Sequence, residues 1–138
     1  MRGVSCIDNQ VRAILAQGKC TMKDDITNSL RYLHPIALPA FVLLKRDLDD
    51  AYEAGRIGQW FMPFESYRSP MRQEELLRDG QGVTNAGAWQ SAHNYGLAVD
   101  FVPFLMKGPR RGWDWGQSNE WKTMRDMAKL RGLLTSLS

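Results

Sequence analysis

The sequence predicts an α+β domain, and three observations carry that reading. Apolar residues recur at helical spacing in two well-separated stretches, Phe41, Leu44, Leu48, Ala51 and then Trp121, Met124, Ala128. Two short apolar runs, Trp60–Ser66 and Leu97–Phe104, have the length and the aromatic and branched content of strands. Helical and strand patterns do not alternate strictly, as a parallel βαβ sheet would require. A chain of 138 residues is one domain on length, residues 1–138, and long enough to bury a core.

Residues 6–33 read as one or two short helices broken around Gly18. From Pro39 the pattern sharpens into an amphipathic helix, with Lys45, Arg46, Asp47 and Asp50 opposite the apolar stripe and Gly55 as a stop. The run from Trp60 to Ser66 follows as a strand, and Pro63 marks it as an edge or a bulge. Ser69 is an N-cap and Pro70 takes the first helical position, so a helix runs from Pro70 to about Asp79 and stops at Gly80. Tyr67 and Arg68 therefore sit between a strand end and a helix start, where a rigid frame holds exposed side chains.

Residues 80–90 are rich in Gly and Asn and read as a loop. The stretch Leu97–Phe104 is the second strand, with Ala98, Asp100 and Val102 on one face and Leu97, Val99 and Phe101 on the other. Lys107 to Gln117 reads as another loop. Ser118 caps a last helix with Glu120 in its first turn, ending at Gly132.

Composition narrows the function classes. Hydrophobic residues at 43% and charged residues at 24% are ordinary for a globular chain. The net charge of +3 is mild, and only Arg110 and Arg111 are adjacent arginines, so the basic stripe of a nucleic-acid binder is missing and no nucleic-acid partner is expected. Two cysteines, Cys6 and Cys20, make neither a disulfide framework nor a common zinc motif. The N-terminus lacks the pattern of a cleaved signal peptide, so synthesis in a cytoplasm without a leader is expected. The longest apolar run, Ile36 to Leu44, is interrupted by Pro39 and too short to span a bilayer.

The stretch Ser91–Phe101, SAHNYGLAVDF, raises the chemical question. Asp100 stands in an apolar run, where a charge is costly unless a cation pairs with it. His93 lies seven residues earlier, and Gly96 permits a tight bend between them, so a loop ligand and a strand ligand can converge. Spacing alone leaves two readings open: a metal site, or a surface histidine with an aspartate neutralised by an arginine.

The pattern Ser91-x-His93-x-x-Gly96-x-Ala98-x-Asp100 resembles the signature of the VanY-like zinc peptidases, the D-alanyl-D-alanine carboxypeptidases and the related L-alanyl-D-glutamate endopeptidases of phage endolysins. YRSPMRQEELL, from Tyr67, resembles the same family's first motif, an arginine after a strand and a glutamine five residues on. LHPIALPAFVLL resembles the helix that opens these domains, so the likeness spans roughly residues 30 to 132. The resemblance implies a zinc DD-peptidase (Hedgehog-like) fold, a small antiparallel sheet flanked by helices. It implies Zn2+ held by His93 and Asp100, Arg68 as the catalytic donor to developing negative charge, and Gln73 and Ser91 as substrate-binding residues. The implied reaction is hydrolysis of an amide bond in the peptidoglycan stem peptide, by a phage or prophage endolysin acting on the cell wall after release.

The residues keep plainer readings beside these. Arg68 can simply neutralise Asp100, Gln73 can be a solvated helix residue, and Ser91 a loop cap. Trp113 and Trp115 can stack on wall sugars or pack in a loop. The family also implies a third zinc ligand, a histidine, and an acidic general base after the last helix, yet no histidine follows His93 and only six residues follow Gly132. His34, before Pro35, is the one other histidine, at a position where the resemblance places no ligand. A C-terminal segment truncated in this way would leave a sheet edge and an apolar face uncovered, favouring association. The alternative function is thus a catalytically inactive homologue, a cell-wall-binding module or remnant.

Overall fold

The structure, a computed structural model, describes residues 26–79, 82 and 84–135. The expected helices before residue 26, both cysteines and the Gly80 stop lie outside these. Among the described residues, three α-helices pack against an open three-stranded antiparallel sheet: α1 (Leu38–Glu53), β1 (Phe61–Glu65), α2 (Pro70–Arg78), β2 (Asp100–Leu105), β3 (Gly112–Trp113) and α3 (Asn119–Leu130), in strand order β1-β2-β3. Two 3-10 turns, Leu30–Tyr32 and Ala92–Tyr95, complete the regular structure. The α+β expectation is met. Two local differences appear. β2 starts at Asp100 and not at Leu97, because residues 97–99 leave the Gly96 bend before β1 pairing begins. β3 falls in the stretch read from sequence as a loop, because two residues carry no periodic signal.

Each helix starts and stops where local chemistry directs. Ser69 Oγ accepts the Arg72 N–H at the head of α2, and Ser118 Oγ accepts the Glu120 N–H at the head of α3. α1 starts beside Pro39 and ends before Gly55, whose φ of +75° is the left-handed conformation that terminates helices cheaply only with glycine. Its stripe of Phe41, Leu44, Leu48 and Ala51 is buried. The core joins this stripe to Phe61, Phe101, Val102, Trp121 and Ala128. Phe61 meets Trp121 edge-on with centroids 5.9 Å apart, and Phe41 stacks on Phe101 at 6.5 Å. Arg131, just past α3, clasps Asp47 of α1 in a fork, with Nε and one terminal nitrogen 2.7 and 2.9 Å from the two carboxylate oxygens.

The sheet register positions the site. Phe61 lies opposite Pro103, Pro63 opposite Phe101, and Glu65 opposite Asp100, with a bulge between Pro63 and Glu65. Phe104 N–H donates to Trp60 C=O on the β1 side, while Pro103 C=O accepts from Asp114 N–H on the other side. By the alternation of an antiparallel strand, Phe101 therefore turns its N–H and C=O away from β1. Pro63, opposite Phe101, thus needs no ladder N–H, which is how β1 accommodates a proline. β3 pairs only with Phe104 and Leu105, so among the described residues the Asp100–Val102 edge of β2 has no neighbour on that side. No helix of the described residues is long and apolar enough to cross a membrane.

Candidate functional site

Four of the residues singled out from sequence converge at the bulged end of the β1–β2 pair. His93 enters from the second 3-10 turn, which Ser91 caps: its Oγ accepts the His93 N–H, and the Asn94 side chain returns to the Ser91 N–H. Gly96 closes that turn at φ +70°, and its backbone sits so close to Leu33 and His34 that an added Cβ would stand 2.6 Å from His34 N. The bend expected at Gly96 is present and depends on glycine. Two bonds then tie the turn to the strand exit: Arg68 N–H donates to His93 C=O at 2.9 Å, and Asn94 Nδ2 donates to Arg68 C=O at 2.8 Å.

The His93 ring is oriented by the same exit. Nδ1 lies 2.7 Å from Ser66 C=O, and a carbonyl can only accept, so Nδ1 carries a proton. Ser66 is itself fixed, its N–H and Oγ both donating to Thr27 C=O and its Oγ also to Ser29 C=O. Nε2 is left as the outward nitrogen and stands 3.4 Å from Asp100 Oδ1. When the ring is neutral, that contact sets a lone pair against a carboxylate oxygen, so the gap calls for a proton or a metal cation between them. A backbone carbonyl orienting the far nitrogen is also how metal-binding histidines are usually held.

Arg68 lies beneath this pair, nearly buried. Nε and one terminal nitrogen reach Glu65 Oε1 at 3.1 and 2.7 Å, and the other terminal nitrogen reaches Gln73 Oε1 at 2.8 Å. These bonds take three of the five guanidinium N–H groups, leaving two. The nitrogen bonded to Glu65 is 3.6 Å from Asp100 Oδ2, beyond hydrogen-bond length. Asp100, with its side chain 41% exposed, thus has a cation or potential cation near each oxygen and a short bond to neither. Its carboxylate is open to a further positive partner.

Glu65 is the residue that sequence reasoning missed. Its side chain is 2% exposed, and its second oxygen accepts from Arg72 Nε at 2.6 Å. The signal was present: a carboxylate inside an aromatic strand, the anomaly that drew notice at Asp100. Gln73 is 0% exposed, and its amide nitrogen donates to Thr84 Oγ1 and Ala86 C=O. With its oxygen accepting from Arg68 and its nitrogen donating to the loop, it locks the guanidinium and the 84–90 loop. Ser91 is engaged as a cap, which leaves its hydroxyl proton available.

The tryptophans divide. Trp113 packs edge-on against Phe64 and Phe104 at 5.1 and 5.0 Å, so it belongs to the sheet face. Trp115 is half-exposed while leaning on Phe64 and Trp121. Trp89 adopts φ +64°, a strained conformation for a bulky residue, held in part by the Tyr95 hydroxyl donating to its C=O. His34 turns its Nδ1 to the Ile36 N–H.

The donor set suits a metal. Two ligands of a tetrahedral zinc with bonds of about 2.0–2.1 Å lie about 3.3 Å apart, and His93 Nε2 and Asp100 Oδ1 are 3.4 Å apart. Among the described residues, no group of three His, Cys, Asp or Glu gathers at one point. No protein-family model matches the chain, and no curated protein matches it.

Proposed function

We propose that this cluster is the zinc site of a peptidoglycan peptidase of the VanY-like type, on an α+β frame of the zinc DD-peptidase (Hedgehog-like) kind. The observation that carries the reading is the pre-set 3.4 Å gap between an oriented imidazole nitrogen and a carboxylate oxygen, the span of two tetrahedral zinc ligands. Zinc, when bound, supplies Lewis acidity and a water of lowered pKa. The chain's own residues do the rest. His93 and Asp100 hold the ion, with Ser66 C=O fixing the histidine tautomer. Glu65 and Gln73 lock Arg68 with two N–H groups unspent beside Asp100, a rigid donor for charge developing on a substrate carbonyl. Ser91 offers one hydroxyl donor at the rim. The substrate class is the stem peptide of bacterial peptidoglycan, met outside the membrane after release.

A catalytic zinc takes three protein ligands, and the sequence offers no histidine besides His34 and His93 to join Asp100. That count favours one second reading, a wall-binding module in which the cleft survives without hydrolysis. Incubating the zinc-supplemented protein with purified sacculi separates the two. The enzyme releases new amino groups or free alanine, and His93→Ala and Asp100→Ala abolish the release. Cosedimentation with sacculi without any release would overturn the peptidase and leave the module.

A further inference from the structure

We infer that the groove between β2 and α3 is a receptor for an extended polypeptide segment, which adds as a strand along Asp100–Val102. The groove is a cavity of about 280 Å³, walled by Phe41, Leu44, Phe101, Trp121, Met124 and Ala128. Three independent features specify the chemistry of its occupant.

First, its floor is a strand edge. Phe101 lines the groove and turns its N–H and C=O away from β1, and no described residue pairs with them, because β3 reaches only Phe104 and Leu105. An occupant that offers one acceptor and one donor at strand spacing satisfies both, which is how a peptide joins a sheet. Second, Trp121 lines the groove, is 8% exposed, and its indole N–H is buried with no hydrogen-bond partner among the described residues. Buried donors in folded proteins are almost always paired, so an occupant that shifts the ring enough to open this N–H to the groove gains by supplying an acceptor such as a peptide carbonyl. Third, Arg125 lies one turn beyond Trp121 on α3, lines the same groove and makes no ion pair among the described residues. It favours an acidic side chain on the segment. A polypeptide meets all three demands at once: alternate apolar side chains for the walls, main-chain groups for Phe101 and Trp121, and a carboxylate for Arg125. The groove ends at Asp100, so a bound segment would border the candidate metal site, but the inference does not depend on any metal.

The test uses a phage-displayed library of random heptapeptides selected on the intact protein, followed by synthetic copies of the selected sequences. The expected peptides are apolar at alternate positions and carry an acidic residue. N-methylation at every second amide abolishes binding in one phase and is tolerated in the other, the signature of strand pairing. Binding protects the Phe101 amide from exchange and shifts the Trp121 indole proton. Trp121→Phe keeps a ring on Phe61, leaves thermal unfolding unchanged or raised, and weakens binding roughly tenfold through the lost N–H. Arg125→Glu turns the selection toward basic peptides. A library without binders, binders indifferent to Trp121→Phe and to the methylation phase, or self-association that occupies the groove would each overturn the inference. Zinc titration of Trp121→Phe, expected to match wild type, keeps this outcome separate from that of the metal reading.

Discussion

Glu65 and Asp100 stand opposite each other in the β1–β2 register, two carboxylates that share one guanidinium. Like charges directly across a strand pair are destabilising unless a cation lies between them. Arg68 is that cation, but it is divided unequally: 2.7 Å from Glu65 and 3.6 Å from Asp100. Glu65 takes the arginine, and Asp100 is left with unspent charge beside His93. The metal site proposed here thus depends on which carboxylate wins the shared partner.

Replacing Glu65 tests that division. Glu65→Gln leaves Arg68 and Arg72 short of their buried counter-charge and should cost about 3–5 kcal/mol, as breaking a buried ion pair does. The released guanidinium should move onto Asp100 and compete with the metal. Urea unfolding and zinc titration of the variant should show both losses; unchanged zinc affinity would detach Glu65 from the site.

Gln73 offers a second probe. Its fully buried amide joins Arg68 to Thr84 and Ala86, so Gln73→Ala leaves several polar groups unpaired at about 1–3 kcal/mol. The 84–90 loop should also become sensitive to limited proteolysis. Wild-type cleavage rates in that loop would show that the buried amide is not its anchor.

Much of this was legible in the sequence, and what was not has a physical cause. Helices α1, α2 and α3 follow from apolar spacing, serine caps and terminal glycines, because those signals are local. His93, Asp100 and Arg68 drew attention as polar groups next to strand-like runs, and they do meet. The register that sets Glu65 against Asp100 depends on a bulge between Pro63 and Glu65, and pairing between residues so far apart in the chain leaves no local mark. Gln73 illustrates the same limit: its burial comes from the 84–90 loop folding over α2, not from the pattern of α2 itself.

Gly96 ties sequence to geometry most tightly. Its positive φ and the 2.6 Å approach to His34 N mean that Gly96→Ala adds both left-handed strain and a backbone clash. Thermal unfolding should report a loss of about 1–3 kcal/mol, and His93 should lose its alignment with Asp100. A variant with wild-type stability would contradict the close packing of this turn against Leu33 and His34.

The α1–α3 clasp should give stability an acid limb. Hydrogen bonds from Arg131 hold the Asp47 carboxyl below its ordinary value. A carboxyl depressed in the folded state contributes its full stability above the unfolded value, near pH 4, and loses it as pH falls through the lower folded value. Asp47→Asn should therefore be less stable than wild type at neutral pH and converge with it in acid. Parallel stability curves from pH 7 to pH 2 would show that the clasp contributes nothing.

The most direct measurement is calorimetric zinc titration of the protein, with His93→Ala and Asp100→Ala alongside. One zinc per chain should bind through both residues, with either substitution weakening binding about tenfold to a hundredfold. Binding indifferent to both changes would contradict it, and the 3.4 Å pair would then be an ordinary histidine–carboxylate contact.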